Sequence, residues 1–209
     1  MVDHLIRGHK AFLQKHVGDE REFLSRLAAE KQCPGALFVG CSDSRVVPEL
    51  LTTSAPGSLF VVRNIANLIP PYEHPHASVG AALEYAVGQL HVPHLVVCGH
   101  YGCGGVGALI DGAEQLENSP SLRSWLQVAR PGVEAAREGK GGAEGWWRRA
   151  IEENVIVQLE NAVTYPVVRD ALERGELALH GWVYDLYSLE LRVCDVREGA
   201  FSRAAAILG

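Results

Sequence analysis

The sequence has no block of basic residues. Its 19 Lys and Arg are dispersed among 25 Asp and Glu for a formal net charge of -6, so the electrostatic footprint of a nucleic-acid binder is missing. No apolar run approaches the ~18 residues that a membrane span requires. The first residues, Met1-Val2-Asp3-His4-Leu5-Ile6-Arg7, lack the apolar core and cleavage site of a secretory signal, and a cytoplasmic protein is expected. Internal repeats and low-complexity tracts are absent as well. There is no dense cysteine framework either. Cys33, Cys41, Cys98, Cys103 and Cys194 are odd in number and scattered, which points away from disulfides and toward reduced thiols or metal binding. Cys98 and Cys194 lie inside apolar runs and read as small core residues.

What is present suits one core. With 209 residues, 47% of them hydrophobic, the chain fits a single α/β domain, with an N-terminal helical arm over 1–33 and an α/β core over 34–209. Leu5, Phe12 and Leu13, then Phe23, Leu24 and Leu27, recur at helical spacing around a break at Gly18-Asp19, predicting two amphipathic helices. The continuous apolar runs Ala36 to Val39, Ser58 to Val62 and His94 to Cys98 read as strands buried on both faces. Between the second and third, Ala81, Ala82, Tyr85, Ala86 and Leu90 mark a crossover helix over 77–90, which makes the sheet at least partly parallel. Helices are predicted over 104–111, 121–130, 146–163 and 167–174, with a glycine-rich loop at 139–142. Leu177 to Asp195 alternates as two strands turning near Tyr187-Ser188. The expected fold is α/β, a mostly parallel central sheet of about five strands flanked by helices.

Two clusters of chemistry follow directly after predicted strands: Cys41-Ser42-Asp43-Ser44-Arg45 after the first and His100-Tyr101-Gly102-Cys103-Gly104-Gly105 after the third. Loops at the carboxyl ends of parallel strands converge even when distant in sequence. Cys41, His100 and Cys103 offer the thiolate and imidazole donors that zinc accepts, and three such ligands leave a fourth position open, as catalytic zinc requires. Gly99, Gly102, Gly104 and Gly105 would permit backbone angles closed to other residues. Asp43 can serve as a fourth ligand, a general base, or an acceptor that orients a water. In an extended stretch residues 41, 43 and 45 point the same way, which favours the last role, with Arg45 holding the carboxylate by a bidentate ion pair. Two thiolates offset the charge of the ion, so activity should rise into the alkaline range.

On these residues the chain resembles the β-class carbonic anhydrases over nearly its whole length. The matching segments are Cys41 to Val46, Val61 to Asn67, Ala81 to Val87, Gly99 to Gly105, and His180-Gly181-Trp182-Val183-Tyr184. The resemblance implies that Cys41, His100 and Cys103 bind one zinc per subunit, that Asp43 and Arg45 form a catalytic dyad, and that zinc-bound hydroxide attacks carbon dioxide to give bicarbonate and a proton. It also implies a narrow cleft across a dimer interface, lined by residues matching Gln32, Phe60, Ile65, Tyr85 and Gly104, in a homodimer or dimer of dimers whose N-terminal helices pack on the partner. A regulated subgroup holds bicarbonate with a Trp, an Arg and a Tyr. Arg63 and Tyr184 match, but Phe38 stands where that Trp would be and lacks the indole donor. Inhibitory bicarbonate binding is therefore expected to be weak or absent, with Asp43 staying on Arg45.

Three rivals share parts of this pattern. Gly102 to Gly107 satisfies G-x-G-x-x-G, the mark of a dinucleotide-binding oxidoreductase, but it follows the third strand rather than the first and no acidic residue closes a next strand. Hydrolases of carbonyl sulfide or carbon disulfide would keep both fold and metal. A non-catalytic zinc protein would complete the shell with Cys33 or Asp43. His74 and His76 flank Pro75 near the predicted cleft and read first as solvated loop residues, with proton relay as the alternative.

Overall fold

The computed structural model describes residues 2–15, 19–112, 116–138, 143–204 and 206. They fall into two units, Met1–Cys33 and Pro34–Gly209. The first contains α1 (Asp3–Lys15) and α2 (Asp19–Ala29), the two helices that the spacing predicts; Gly18, at the expected break, lies outside the described residues. Helix α1 buries none of its residues. Leu5, Ile6, Phe12 and Leu13 are all exposed.

The second unit is built on a six-stranded sheet in the order β2-β1-β3-β4-β5-β6. The strands are β1 (Ala36–Cys41), β2 (Leu59–Asn64), β3 (His94–His100), β4 (Ala178–Tyr184), β5 (Leu191–Asp195) and β6 (Ala200–Arg203). The first four run parallel, whereas β4–β5 and β5–β6 are antiparallel. The alternating segment after Leu177 thus forms a hairpin, and the short, mostly exposed β6 adds a strand that apolar patterning does not reveal. Strands β1 and β3 are buried along nearly their whole length, as continuous apolar runs require.

Among the described residues the helices of this unit are α3 (Pro48–Thr52), α4 (Ala77–Leu83), α5 (Gly104–Asp111), α6 (Pro120–Leu126), α7 (Arg130–Glu138), α8 (Ala143–Val163) and α9 (Pro166–Glu173). Proline opens α3, α6 and α9, where its missing N–H costs nothing. The crossover predicted over 77–90 is α4 followed by a π-helical turn, Glu84–Gln89. The helix expected over 121–130 is α6, a 3-10 turn at Gln127–Ala129, and the start of α7. The glycine-rich loop at 139–142 lies outside the described residues.

The main core packs α8 and its neighbours on one face of the sheet; a smaller cluster of Phe38, Val96 and Cys98 with Trp182 fills the other. Helix α8 seats closely because glycines on the facing elements make room for it, Gly99 and Gly132 among them. A Cβ on Gly99 of β3 would stand 2.9 Å from Val155, and one on Gly132 of α7 would stand 2.7 Å from the Asn154 backbone nitrogen. The chain runs from β1 to β2 on one side and then to β3 on the other, so the strand order reverses at the β1/β3 boundary. Cys41 ends β1 and His100 ends β3, side by side at the carboxyl edge where such sheets place their sites.

Candidate metal centre and active site

Cys41, His100 and Cys103 converge, all buried, with their donor atoms within 4.8 Å of one another. Cys103 is the residue that caps α5, so the turn from β3 into that helix carries two of the three. The Cys41 and Cys103 sulfurs are 3.9 Å apart, close to the ~3.8 Å edge of a tetrahedron with metal–sulfur bonds of about 2.3 Å. His100 is fully buried, yet its Nε2 has no hydrogen-bond partner among the described residues. Its Nδ1 lies 3.2 Å from the Tyr101 carbonyl oxygen, the contact that leaves Nε2 to bind a metal. An orphaned imidazole nitrogen facing two thiols fits zinc.

The two thiols share a proton unequally. The hydrogen bond between the two sulfurs lowers the Cys41 pKa to about 4, against the effect of burial and with help from His100 and the backbone of Asp43 and Ala66. The same hydrogen bond, together with burial, pushes Cys103 well above the ordinary thiol value, although the N–H groups of Val106 and Gly105 favour its thiolate. By contrast, burial raises Cys98 to about 12 and Cys194 to about 11, in keeping with inert core cysteines.

Asp43 lies beside this cluster and is tied to Arg45. Arg45 Nε donates to Oδ1 at 2.9 Å, Nη2 to Oδ2 at 2.7 Å and the Arg45 backbone N–H to Oδ1 at 3.0 Å. The guanidinium holds the carboxyl well below the usual carboxylate range. With both oxygens engaged by Arg45, Asp43 faces the cluster without entering it. Arg63 braces this segment from β2, donating to the Cys41 carbonyl at 3.0 Å and to the Asp43 carbonyl at 2.6 Å.

The loop after β2 completes the wall. Ala66 and Asn67 hold φ of 64° and 51°, left-handed angles that cost a non-glycine residue about 1–3 kcal/mol and cluster at functional sites. Asn64 clasps the loop through both side-chain atoms, to the Leu68 carbonyl and N–H, and Trp125 Nε1 donates to the Ile65 carbonyl at 2.9 Å. Of the four glycines near the metal turn, only Gly102 takes a positive φ, at 78°. The expected conformational freedom is therefore not used at Gly99, Gly104 or Gly105. Gly105 is instead a close-approach residue, where a Cβ would stand 2.9 Å from Ile65 Cγ2.

The expected lining residues divide into groups. Ile65 is exposed and lies against the first turn of α5, which Gly104 begins. Phe60 pairs with Tyr85, ring centroids 5.9 Å apart, but its place on β2 opposite Leu37, four residues before the Asn64–Cys41 pair, is about 13 Å down the strand from the site at the usual rise. Gln32 is exposed in the N-terminal unit. A cleft of about 1080 Å³ runs from Ser42 and Ile65 past His74 and His76 to Trp125; His76 meets the Trp125 ring edge-on at 5.1 Å.

Sequence patterning missed several supports. Tyr101 is held at every group: its N–H donates to the Tyr184 carbonyl, its hydroxyl to Glu152, and the Arg148 guanidinium lies 3.7 Å over its ring. Asn154 and Gln158 are buried amides one turn apart on α8, and their type does not mark them out on a helix that also carries Arg148, Arg149, Glu152, Glu153 and Glu160. Arg63, which matches a bicarbonate-holding Arg in the regulated subgroup, is engaged with backbone carbonyls. Phe38 is fully buried, edge-on to Trp182 at 6.2 Å.

The sequence model of the carbonic anhydrase family matches residues 36–191. A carbonic anhydrase of Pseudomonas aeruginosa is 43% identical over 199 residues, covering 93% of this chain and 87% of its own. Among solved structures, the β-carbonic anhydrase CcaA superposes with a TM-score of 0.89 at 36% identity, covering 97% of this chain and 91% of that one. Two tetrameric β-carbonic anhydrases of the ascomycete Sordaria macrospora are represented at a TM-score of 0.75 and 29% identity, covering 97% and 95%. Family match, relatives and fold agree with the cysteine–histidine–cysteine cluster, and this chain belongs to the β-class carbonic anhydrases as an enzyme of that family.

Proposed function

We propose that the protein catalyses the reversible hydration of carbon dioxide to bicarbonate and a proton, with one zinc per chain held by Cys41, His100 and Cys103. The observation that carries this reading is the His100 imidazole nitrogen, buried without a partner among the described residues and facing two close sulfurs beside an ionised carboxylate. Zinc held there supplies the positive charge that acidifies a water molecule. Asp43, kept ionised and aimed by Arg45, would accept a hydrogen bond from a water beside the cluster and orient it toward carbon dioxide. Arg63 fixes the backbone on which this clasp stands. Ile65 and the open N-terminal turn at Gly104 give carbon dioxide an apolar wall that excludes bulk water.

Phe60 and Tyr85, too far down the sheet to join that wall within one chain, line the neighbouring subunit's cleft together with Gln32. The minimal unit is then a homodimer, single or paired into a dimer of dimers. The exposed apolar side chains of α1 supply the surface of an N-terminal arm, residues 1–33, that packs on the partner while 34–209 forms the core. The location is cytoplasmic; no described helix is long and apolar enough to cross a membrane.

Rapid-mixing hydration assays on protein of measured zinc content test this reading, with carbonyl sulfide run alongside carbon dioxide. One zinc per chain and a clear preference for carbon dioxide are expected. Purified protein that never retains a stoichiometric ion, or that turns over only the sulfur analogue, overturns it.

A further inference from the structure

Helix α8 directs two fully buried amides at the strained loop beside the metal ligands. Asn154 Nδ2 donates to the Ala66 carbonyl at 3.1 Å, Gln158 Oε1 accepts from the Ile69 N–H at 2.8 Å, and Gln158 Nε2 donates to Asn154 Oδ1 at 3.0 Å. The loop needs such a hold. Ala66 and Asn67 are consecutive non-glycine residues at left-handed φ, where the Cβ crowds the carbonyl oxygen and an unsupported chain relaxes to other angles. The helix can provide it because Gly132 and Gly99 let α8 sit close against α7 and β3.

The strained turn has two consequences at the site. It packs Ala66 against the segment that follows Cys103, where a Cβ on Gly105 would stand 3.1 Å from the Ala66 Cβ. It also stands the Ile65 side chain outward against the α5 turn at Gly105. We propose that Asn154 and Gln158 are positioning residues: by pinning the Ala66-Asn67 turn they hold it against the Cys103–Gly105 segment that carries a zinc ligand and keep Ile65 as the wall of the substrate site. This deepens the carbon dioxide hydration reading above and rests on it. Amides that merely satisfied each other inside a helix would, on removal, lower stability without moving metal retention or substrate affinity.

The test uses the zinc-loaded enzyme with Asn154→Ala. It also uses Asn154→Asp, which keeps the size but as a carboxylate cannot donate to the Ala66 carbonyl and serves if the first variant does not fold. Each is made with and without Ala66→Gly, and the readouts are zinc release to excess chelator and the separate KM and kcat for carbon dioxide. Loss of the Asn154 donor should speed zinc release about ten-fold and raise KM about ten-fold with a smaller change in kcat. Glycine takes left-handed angles without penalty, so Ala66→Gly should recover about three-fold or more of both losses in the Asn154 variants. It should give no gain in the otherwise unaltered chain, where the turn is already held. Zinc release and KM within about two-fold of the parent, or losses that Ala66→Gly does not recover, overturn the proposal. A parent chain that keeps zinc without hydrating carbon dioxide removes the activity proposed above and leaves zinc release to decide this one; a parent that retains no zinc overturns both.

Discussion

Asp43 and Arg45 are joined by two parallel hydrogen bonds, and the carboxylate oxygen nearer the metal ligands, Oδ2, stands 3.8 Å from His100 Nε2 while bonded to the guanidinium at 2.7 Å. Arg45 thus holds beside the cysteine–histidine cluster a carboxylate that would otherwise be free to turn toward it.

Arg45→Ala should remove the bond that holds Asp43 off the ion. The expected variant keeps its zinc, loses kcat/KM by about 100-fold or more, and has an aspartate oxygen on the metal in a crystal structure. Asp43→Ala should also keep zinc and turn over poorly, whereas Cys41→Ser should lose the metal. An Arg45→Ala enzyme of parental rate would contradict the clasp.

Because Cys41 is lowered to about 4 while Cys103 is pushed well up, the metal-free pair carries one thiolate and one thiol near neutrality. Zinc needs both as thiolates. Metal uptake at pH 8 should therefore release about one thiol proton rather than two, measurable by calorimetry in buffers of different ionisation enthalpy. Release of two would show that the thiols do not share a proton.

Arg45 depresses the Asp43 carboxyl. An acid lowered on folding contributes stability above its ordinary pKa and loses it only as pH falls through the lower folded value. The clasp is thus intact at every pH above about 5, and Asp43 contributes no inflection near neutrality. The rate should instead climb through about pH 7 to 9, because two thiolates offset the charge that acidifies water. A pH–rate profile already flat below neutrality would overturn this account of the ligand set.

Bicarbonate should not inhibit beyond simple product reversal. Phe38 offers no donor, and Arg63 is occupied by the Cys41 and Asp43 carbonyls. Nor should Phe38→Trp install a regulatory pocket, since the Phe38 ring already fills the space over Gly40, where a Cβ would lie 2.9 Å from Cε1. That variant should lose about 1–3 kcal/mol of stability by overpacking in denaturant titrations. Bicarbonate bound beside Phe38 in a crystal, with Asp43 swung away from Arg45, would refute the prediction.

Gly132→Ala tests the seat of α8. A methyl group at that position would meet the Asn154 backbone at 2.7 Å, and backbone gives way less readily than a flexible side chain. A loss of about 2–3 kcal/mol is expected, read from the shift in denaturant midpoint. A neutral result would mean that α7 and α8 have slack.

Much of the fold was legible before any coordinates because burial writes itself into composition: β1 and β3 are unbroken apolar runs, and the β4–β5 hairpin alternates. What local pattern could not reveal has a common cause. Helix α3 is five residues long, too short for a period to register, and β6 is mostly exposed. Arg63 matched a motif position, but its partners are main-chain carbonyls 20 and 22 residues away, and no residue type announces those.

By itself the sequence determined that Cys41, His100 and Cys103 would come together, because parallel strands present their carboxyl ends side by side. The expected pairing of Asp43 with Arg45 is present, but not through extended chain: β1 ends at Cys41, and residues 43–46 form a turn in which the Val46 N–H donates to the Asp43 carbonyl and the Arg45 N–H to Asp43 Oδ1. The tertiary structure alone decided that Ile65 meets the α5 turn while Phe60 meets Tyr85, that among the described residues His100 Nε2 is left buried without a partner, and that the Ala66 carbonyl and the Ile69 N–H meet amides 88 and 89 residues farther along. Those outcomes depend on how α8 seats across β3, and side-chain contacts between elements distant in sequence leave no periodic trace in either one.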